Sequence, residues 1–339
     1  MINAAIVGLG RWGQNHVNSI QGKSERLRFA RGVVRHPDAV RGFAEKHGLA
    51  LSSDYAELLA DPQIQAIVLA TPNSLHADQI VAAARAGKPV FCEKPLALTR
   101  ADAERAVQAC RRAGVALGVG QDKRFWPSMR ELKRVVESGE LGEVLHVEGH
   151  FSNDNARKFS ISWRESPDEA PAGSMTSTGI HVLDAFVNLV GPVRRVQVQM
   201  ITRRPQPTPL DTLAMLLEFE NGVSGILCGV RVTPLYWRVH VFGTEGSAEA
   251  LGDTELVLHT SGAKPRRLSF DAINALHYEL EAFADAVAGR AAYPVPPLQM
   301  IQTVSALEAI AQSIKSRAPV TVGAGESERF VLDLLHEKI

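Results

Sequence analysis

The sequence predicts an α/β chain in two parts: a parallel, doubly wound sheet, then an α+β part with an open, mostly antiparallel sheet. Three observations carry this. Short apolar runs alternate with helical patterns through the first third of the 339 residues. A glycine-rich turn follows the first apolar run at once. After residue 122 the pattern changes to period-two runs without intervening helices.

Ala4–Val7 is a short, wholly apolar run, the pattern of a strand buried on both faces. It empties into Gly8-Leu9-Gly10-Arg11-Trp12-Gly13, a G-x-G-x-x-G, with a helix over 16–20. There the first glycine permits a tight turn, and the second lets backbone approach a pyrophosphate. The third lets the helix pack close to the strand, its N–H groups aimed at the anion. Strand–glycine loop–helix is the signature of a dinucleotide-binding Rossmann domain. Phe29–Val34 reads as a second strand, and Ala39–His47 as a helix stopped by Gly48. Ala66–Ala70 is another buried strand, running into Thr71-Pro72-Asn73. Ser74 then stands as N-cap of an alanine-rich helix, Leu75–Ala86, ended by Gly87. Val90–Cys92, a helix over Ala101–Ala113 and a strand near Ala116–Val119 complete this half.

Such sheets bind ligands beyond the carboxyl ends of their strands. Gly8–Gly13, Arg35, Thr71–Asn73 and Glu93–Pro95 all fall at that edge. In "FCEKPL" Lys94 follows an apolar strand, with Glu93 before it and Pro95 after it. The ordinary reading is a salt-bridged lysine at a strand end; the position instead faces it into the ligand cleft. Where an acid would hold an adenosine ribose, at the end of the second strand, stand Val34-Arg35-His36-Pro37. An acid there repels a 2′-phosphate and an arginine pairs with one; alternatively Arg35 is a solvated loop residue. Arg11 adds positive charge in the glycine loop or stacks on an adenine.

The second part opens with a helix over Ser128–Ser138. Period-two strands follow at Glu143–Phe151, Arg195–Ile201, Thr212–Phe219, Ser224–Val230 and Arg238–Phe242, with a loop over Arg203–Pro209. Helices at Asn274–Ala288 and Leu298–Ser316 close it. The boundaries are 1–122 and 123–339, with the C-terminal helices able to pack back on the first domain. An antiparallel sheet with few covering helices leaves one face unsatisfied, which suits face-to-face oligomers. Its polar constellation is "GSMTSTGIHVLD", residues 173–184. Thr176, Ser177 or Thr178 would cap a helix whose early turns hold His181 near the positive dipole end, as an available proton acceptor. Ser177 and His181 are spaced i, i+4, and Asp184 lies i+3 from His181. The alternative is a helix histidine satisfied in a domain interface.

Formal net charge is zero and no block of like charge occurs, so nucleic-acid and membrane-surface partners have no electrostatic support. Cys92, Cys110 and Cys228 are far apart, without metal-ligand spacing; they read as free thiols, and no metal site is expected. With no leader-like segment and no apolar stretch near 18 residues, a cytoplasmic location is expected.

GLGRWG, ATPNSLH, AGKPVFCEKPLAL, the Trp163-Arg164 pair and GSMTSTGIHVLD occur in this order along nearly the whole chain. Together they resemble the Gfo/Idh/MocA family of nicotinamide-dependent oxidoreductases. The resemblance implies a Rossmann domain followed by an α/β domain whose open sheet makes homodimers or homotetramers. It implies hydride transfer between a nicotinamide cofactor and a secondary alcohol or ketone of a sugar, cyclitol or related polyol. Lys94 and His181 become the catalytic pair: a histidine base at the hydroxyl, and an ammonium that steadies the alkoxide. Gly8, Gly10, Arg11, Trp12, Gly13, Arg35, His36, Thr71, Pro72, Asn73, His76, Glu93 and Lys94 become the cofactor set, with NADP(H) expected over NAD(H) because of Arg35. Arg124, Trp163, Arg164, Thr176 and Ser177 become the substrate set. Many relatives carry an aspartate four residues before the histidine; Ser177 stands there, and a hydroxyl holds no charge. Two other readings therefore stay open, a dinucleotide-binding sensor without activity and a hydrolase or eliminase with retained NAD in a transient redox cycle.

Overall fold

The computed structural model describes residues 1–154, 166–202, 211–231 and 233–323. The chain divides into two compact units. The first comprises Met1–Ala97, Ala101–Phe125 and Asn274–Pro297; the second comprises Leu98–Arg100, Trp126–Ile273 and the chain from Leu298 on.

The first unit is built on six strands, β1 (Ile2–Val7), β2 (Leu27–Val33), β3 (Ala50–Ser52), β4 (Ala66–Leu69), β5 (Val90–Cys92) and β6 (Leu117–Val119). Their order is β3-β2-β1-β4-β5-β6, every pairing parallel. The strand order reverses between β1 and β4, which is where such sheets open a ligand crevice. Ala66, Ile67, Val68 and Leu69 are all fully buried, as a strand covered on both faces requires. The helices are α1 (Arg11–Ile20), α2 (Arg41–His47), α3 (Tyr55–Ala60), α4 (His76–Arg85) and α5 (Arg100–Ala113). α1 begins directly after Gly10, a turn and more before the helix read from the sequence. Ser74 does not cap α4: a 3-10 turn over Asn73–Leu75 takes it in, and Leu75 occupies the cap position. β3 and α3 are additional to the sequence reading; α3 starts at Asp54, whose carboxylate accepts from the N–H of Ala56 (2.7 Å) and Glu57 (3.2 Å).

Among its described residues the second unit carries α6 (Pro127–Glu137), α7 (Ile180–Leu189) and nine strands. These are β7 (Val144–Ser152), β8 (Val193–Thr202), β9 (Asp211–Phe219), β10 (Ser224–Val230), β11 (Tyr236–Gly243), β12 (Gly246–Leu251), β13 (Glu255–Thr260), β14 (Arg266–Ser269) and β15 (Val320–Thr321). The order is β14-β13-β12-β11-β7-β10-β9-β8-β15. β7 pairs with β10 in parallel and the other pairings are antiparallel. Val147, Leu217, Leu227, Val239 and Val241 point to one face, into a core with Leu132, Leu183, Phe186, Leu307 and Ile310. Alternate residues point the other way, among them Leu216, which is 57% exposed, and Arg238, which pairs with Glu148 and Glu249.

The last two described helices, α8 (Ala275–Val287) and α9 (Pro297–Ser316), part company: α8 belongs to the first unit and α9 to the second. α8 lies along α1, with His277 Nδ1 3.0 Å from the Ser19 carbonyl and the Ser24 hydroxyl donating to Glu281 at 2.8 Å. Phe283 meets Phe91 of β5 edge-on at 5.8 Å. Tyr293, just beyond α8, donates to the Val119 carbonyl at 2.8 Å. A late segment thus completes the dinucleotide-type sheet beside β5 and β6. Among the described residues no helix is long and apolar enough to cross a membrane. No metal-holding group of His, Cys, Asp or Glu is present among them, and all three cysteines are free.

Candidate active site

The glycine loop fits a pyrophosphate. Gly8 has φ +92°, and a Cβ there would stand 2.5 Å from the Ala70 carbonyl oxygen of the adjoining strand end. A Cβ on Gly13 would stand 1.9 Å from the Gly8 carbonyl oxygen, so only glycine lets α1 start this close to β1. A Cβ on Gly10 would meet no described atom within 4 Å. Gly10 is the N-cap of α1, without a side-chain cap bond, and no acidic residue stands in the first turn. That cradle matches an anion with open space and helix N–H groups. Arg11 and Trp12 stand together at its rim, the guanidinium carbon 5.4 Å from the ring centroid. Arg35 and His36 are exposed just past β2, followed by Asp38, which pairs with Arg41.

Beyond β5 the turn Glu93-Lys94-Pro95 is held from two sides. The Glu93 carboxylate, 7% exposed, lies with Oε1 2.7 Å from Nε2 of the fully buried His16. Its Oε2 accepts from the Lys94 N–H at 3.2 Å. The Lys94–Pro95 bond is cis. The Pro95 carbonyl lies 2.8 Å from Nδ1 of His76, whose Nε2 is 3.1 Å from the Thr71 carbonyl. Lys94 is half-buried between these two anchored neighbours. His76 is 0% exposed, so it supports the strand-end loops and does not line a cofactor surface. Cys92 is no nucleophile: burial, then the nearby Glu93, push its thiol well up, and burial alone pushes Cys110 up to about 12.

Two buried groups here escaped the sequence reading, His16 and Glu279. The signal was a polar residue on an apolar stripe: Gly13, His16, Val17 and Ile20 form the buried face of α1, and Ala275, Glu279, Leu280 and Phe283 that of α8. Glu279 is 0% exposed, and neither carboxyl oxygen has a hydrogen-bond partner among the described residues. Burial, then the charges of Asp122 and Glu93, push its carboxyl well up; Lys123 opposes them. The folded protein therefore holds a proton that the unfolded chain has already lost. Stability falls as pH rises from the ordinary glutamate range toward the raised value, by about 1.4 kcal/mol per pH unit. Glu279→Gln, which cannot ionise, is expected to raise the melting temperature near pH 8 and leave it nearly unchanged near pH 5. An equal shift at both, followed by calorimetry, would rule out this ionisation as the cause.

In the second unit, residues 173–184 differ from expectation. Met175–Gly179 form a π-helical turn that runs on into α7, with Gly179 at the cap position and no side-chain cap bond. None of Thr176, Ser177 and Thr178 caps the helix, because the helical run has already begun before them. His181 thus lies deeper in that run than its first turn, where the dipole acts. Ser177 falls within the π turn and is exposed, whereas His181, in α7, is 7% exposed. Thr176 is 1% exposed and its hydroxyl accepts from the Ala172 N–H at 3.2 Å, so it braces the loop and is withdrawn from the substrate set. Asp184 accepts from the Thr303 hydroxyl at 3.4 Å, tying α7 to α9.

The structure brings Gly8–Gly13, Arg35, His36, Thr71, Pro72, Asn73, Glu93 and Lys94 to the strand-end edge of the first unit. Arg124 is half-buried in the 3-10 turn Asp122–Phe125 that follows β6. Trp163, Arg164 and the loop over 203–209 lie outside the described residues.

Strand order, glycine cradle and strand-end loops define a dinucleotide-binding architecture. The oxidoreductase family with an NAD-binding Rossmann fold matches residues 2–121, and the GFO/IDH/MocA C-terminal domain matches residues 129–249. The chain belongs to the Gfo/Idh/MocA family of oxidoreductases. It is 30% identical over 263 residues to the myo-inositol 2-dehydrogenase of Thermotoga maritima, covering 75% of this chain and 77% of the relative. It is 31% identical over 262 residues to the scyllo-inositol 2-dehydrogenase (NAD(+)) of Bacillus subtilis, covering 73% and 72%. Levoglucosan dehydrogenase in complex with NADH and levoglucosan shares the fold, with TM-score 0.85 at 23% identity over 95% of this chain and 99% of that one.

Proposed function

We propose that the protein is a dehydrogenase or reductase acting on a secondary alcohol or ketone of a sugar, cyclitol or related polyol, with Lys94 and His181 as its catalytic pair. The observation that carries this is the fixed presentation of Lys94: a half-buried lysine on a strand-end turn whose neighbours on both sides are anchored by buried histidines. The inositol dehydrogenases among its relatives support the substrate class. A nicotinamide dinucleotide, when bound, supplies the hydride acceptor or donor. Gly10 and the first turn of α1 would hold its pyrophosphate, and Thr71–Asn73 and Glu93 would border its other half. Lys94 donates a hydrogen bond to the reacting oxygen and steadies the charge that builds there. Neutral His181 takes the hydroxyl proton in oxidation, and as imidazolium returns it in reduction. Ser177 and Arg124, with Trp163 and Arg164, would bind substrate hydroxyls. The open face of the nine-stranded sheet, where Leu216 is exposed, supports a homodimer or homotetramer. Turnover on a panel of sugars and polyols with both cofactors tests the assignment; clean dinucleotide binding with no turnover would favour a sensor.

NADP(H) is the preferred cofactor in this reading, because exposed Arg35 stands where a ribose-binding acid would repel the 2′-phosphate. Arg35→Ala is expected to weaken NADP(H) binding by roughly 1–3 kcal/mol and leave NAD(H) binding nearly unchanged. Titrations showing equal losses would reduce Arg35 to a loop-shaping residue.

A further inference from the structure

We propose that His76 is a positioning residue held as imidazolium, a doubly donating bridge between the carbonyls of Thr71 and Pro95 that fixes the turn presenting Lys94. The functional half of this rests on the reading of Lys94 as catalytic; the protonation half does not.

The argument starts from what each partner can do. Nδ1 lies 2.8 Å from the Pro95 carbonyl oxygen and Nε2 lies 3.1 Å from that of Thr71. An amide carbonyl oxygen only accepts, so each contact is a hydrogen bond only if the ring nitrogen carries a proton. Neutral imidazole carries one proton, in either tautomer. The other nitrogen would then turn its lone pair on an oxygen lone pair inside a site with 0% exposure. Flipping the ring puts carbon where both nitrogens stand and gives up both bonds. The doubly protonated ring satisfies both.

Burial opposes the charge, and the two hydrogen bonds offset it. Each of the two bonds becomes charge-assisted, to Thr71 on one side and to Pro95 on the other, while the Glu93 carboxylate is taken up by His16 and the Lys94 N–H. The other charged groups on these segments are Lys94 of the turn and, on the ring's own helix, Asp78 in the first turn and Arg85 in the last. Asp78 is already paired with Arg105 of α5 at 2.8 Å.

The mechanical consequence follows from topology. Thr71 stands just past β4 and Pro95 just past β5, neighbouring parallel strands. One ring therefore ties together the two loops that border the crevice beside β1, while His16 holds Glu93. Lys94 is flanked by the two tethers.

Nitrogen-15 spectra of the histidine rings, with His76 assigned by its loss in His76→Gln, test the charge. Two protonated nitrogens persisting at mildly alkaline pH are expected; a single protonated nitrogen at neutral pH overturns the proposal. Steady-state kinetics test the positioning. His76→Gln keeps a donor but cannot span both carbonyls, so kcat should fall about tenfold or more. His76→Phe, with no donor, should fall further, and wild type should show an alkaline loss of turnover that His76→Gln lacks. A folded His76→Phe protein with wild-type kcat also overturns the proposal. The two readings separate cleanly: a fully active Lys94→Met protein would remove the catalytic assignment, whereas the ring spectrum reports on the bridge itself.

Discussion

Replacing His181 with glutamine is expected to lower turnover of a polyol substrate by about 10²–10⁴-fold, the scale of lost general acid–base catalysis. Glutamine keeps a polar group on α7 at a position only 7% exposed, so the fold should survive and the loss should sit in kcat. The pH profile gives the sharper test. A base works only when unprotonated, so wild-type oxidation should rise with pH through the titration of His181, and that limb should vanish in His181→Gln. Lys94→Met should also depress kcat, because methionine keeps the apolar stem and removes the donor. Ser177→Ala should cost much less than either: its side chain is exposed and a hydroxyl carries no charge. A collapse in Ser177→Ala beside a nearly active His181→Gln would reverse these roles.

The contrast between Ser177 and Thr176 shows where sequence reading reached its limit. Both hydroxyls belong to one polar constellation, and spacing alone put Ser177 on the face of His181. No local pattern announces the π turn that holds both, with Ser177 exposed and Thr176 buried. Rossmann alternation was legible because a strand buried on both faces must be wholly apolar, as Ala66–Leu69 is. The loops that bear Gly8, Thr71 and Glu93 were legible for the same reason, since they end such runs. β12 was not: Gly-Ser-Ala-Glu-Ala-Leu has little strand preference, and its pairing with β11 and β13 holds it extended. The sequence reading allowed the C-terminal helices to pack back on the first domain, but periodicity could not show that α8 alone does so. A helical stripe announces a buried face without naming its partner, and Glu279 on that stripe was the one residue that marked it as unusual.

Gly13→Ala and Gly10→Ala should fail in opposite ways, and together they separate fold from cofactor binding. At Gly13 the new methyl would meet the Gly8 carbonyl oxygen at 1.9 Å, a backbone atom that cannot swing aside. Gly8 is itself pinned, its φ of +92° leaving its own Cβ position 2.5 Å from the Ala70 carbonyl oxygen. Relief would require α1 to lift from β1, which carries the core residues Val17 and Ile20 with it. Gly13→Ala is therefore expected to destabilise the first unit by about 3 kcal/mol or more and to lose dinucleotide binding with it. At Gly10 the backbone is extended and the methyl enters open space, so calorimetry should show a change of about 1 kcal/mol or less, the scale of an altered N-cap. In the proposed binding mode a pyrophosphate would approach the α1 N–H groups through that open space. Dinucleotide affinity should accordingly fall at least about tenfold, or 1.4 kcal/mol, in a protein that melts almost as wild type does. If Gly10→Ala instead binds NADP(H) as tightly as the parent, the anion does not sit on this helix end.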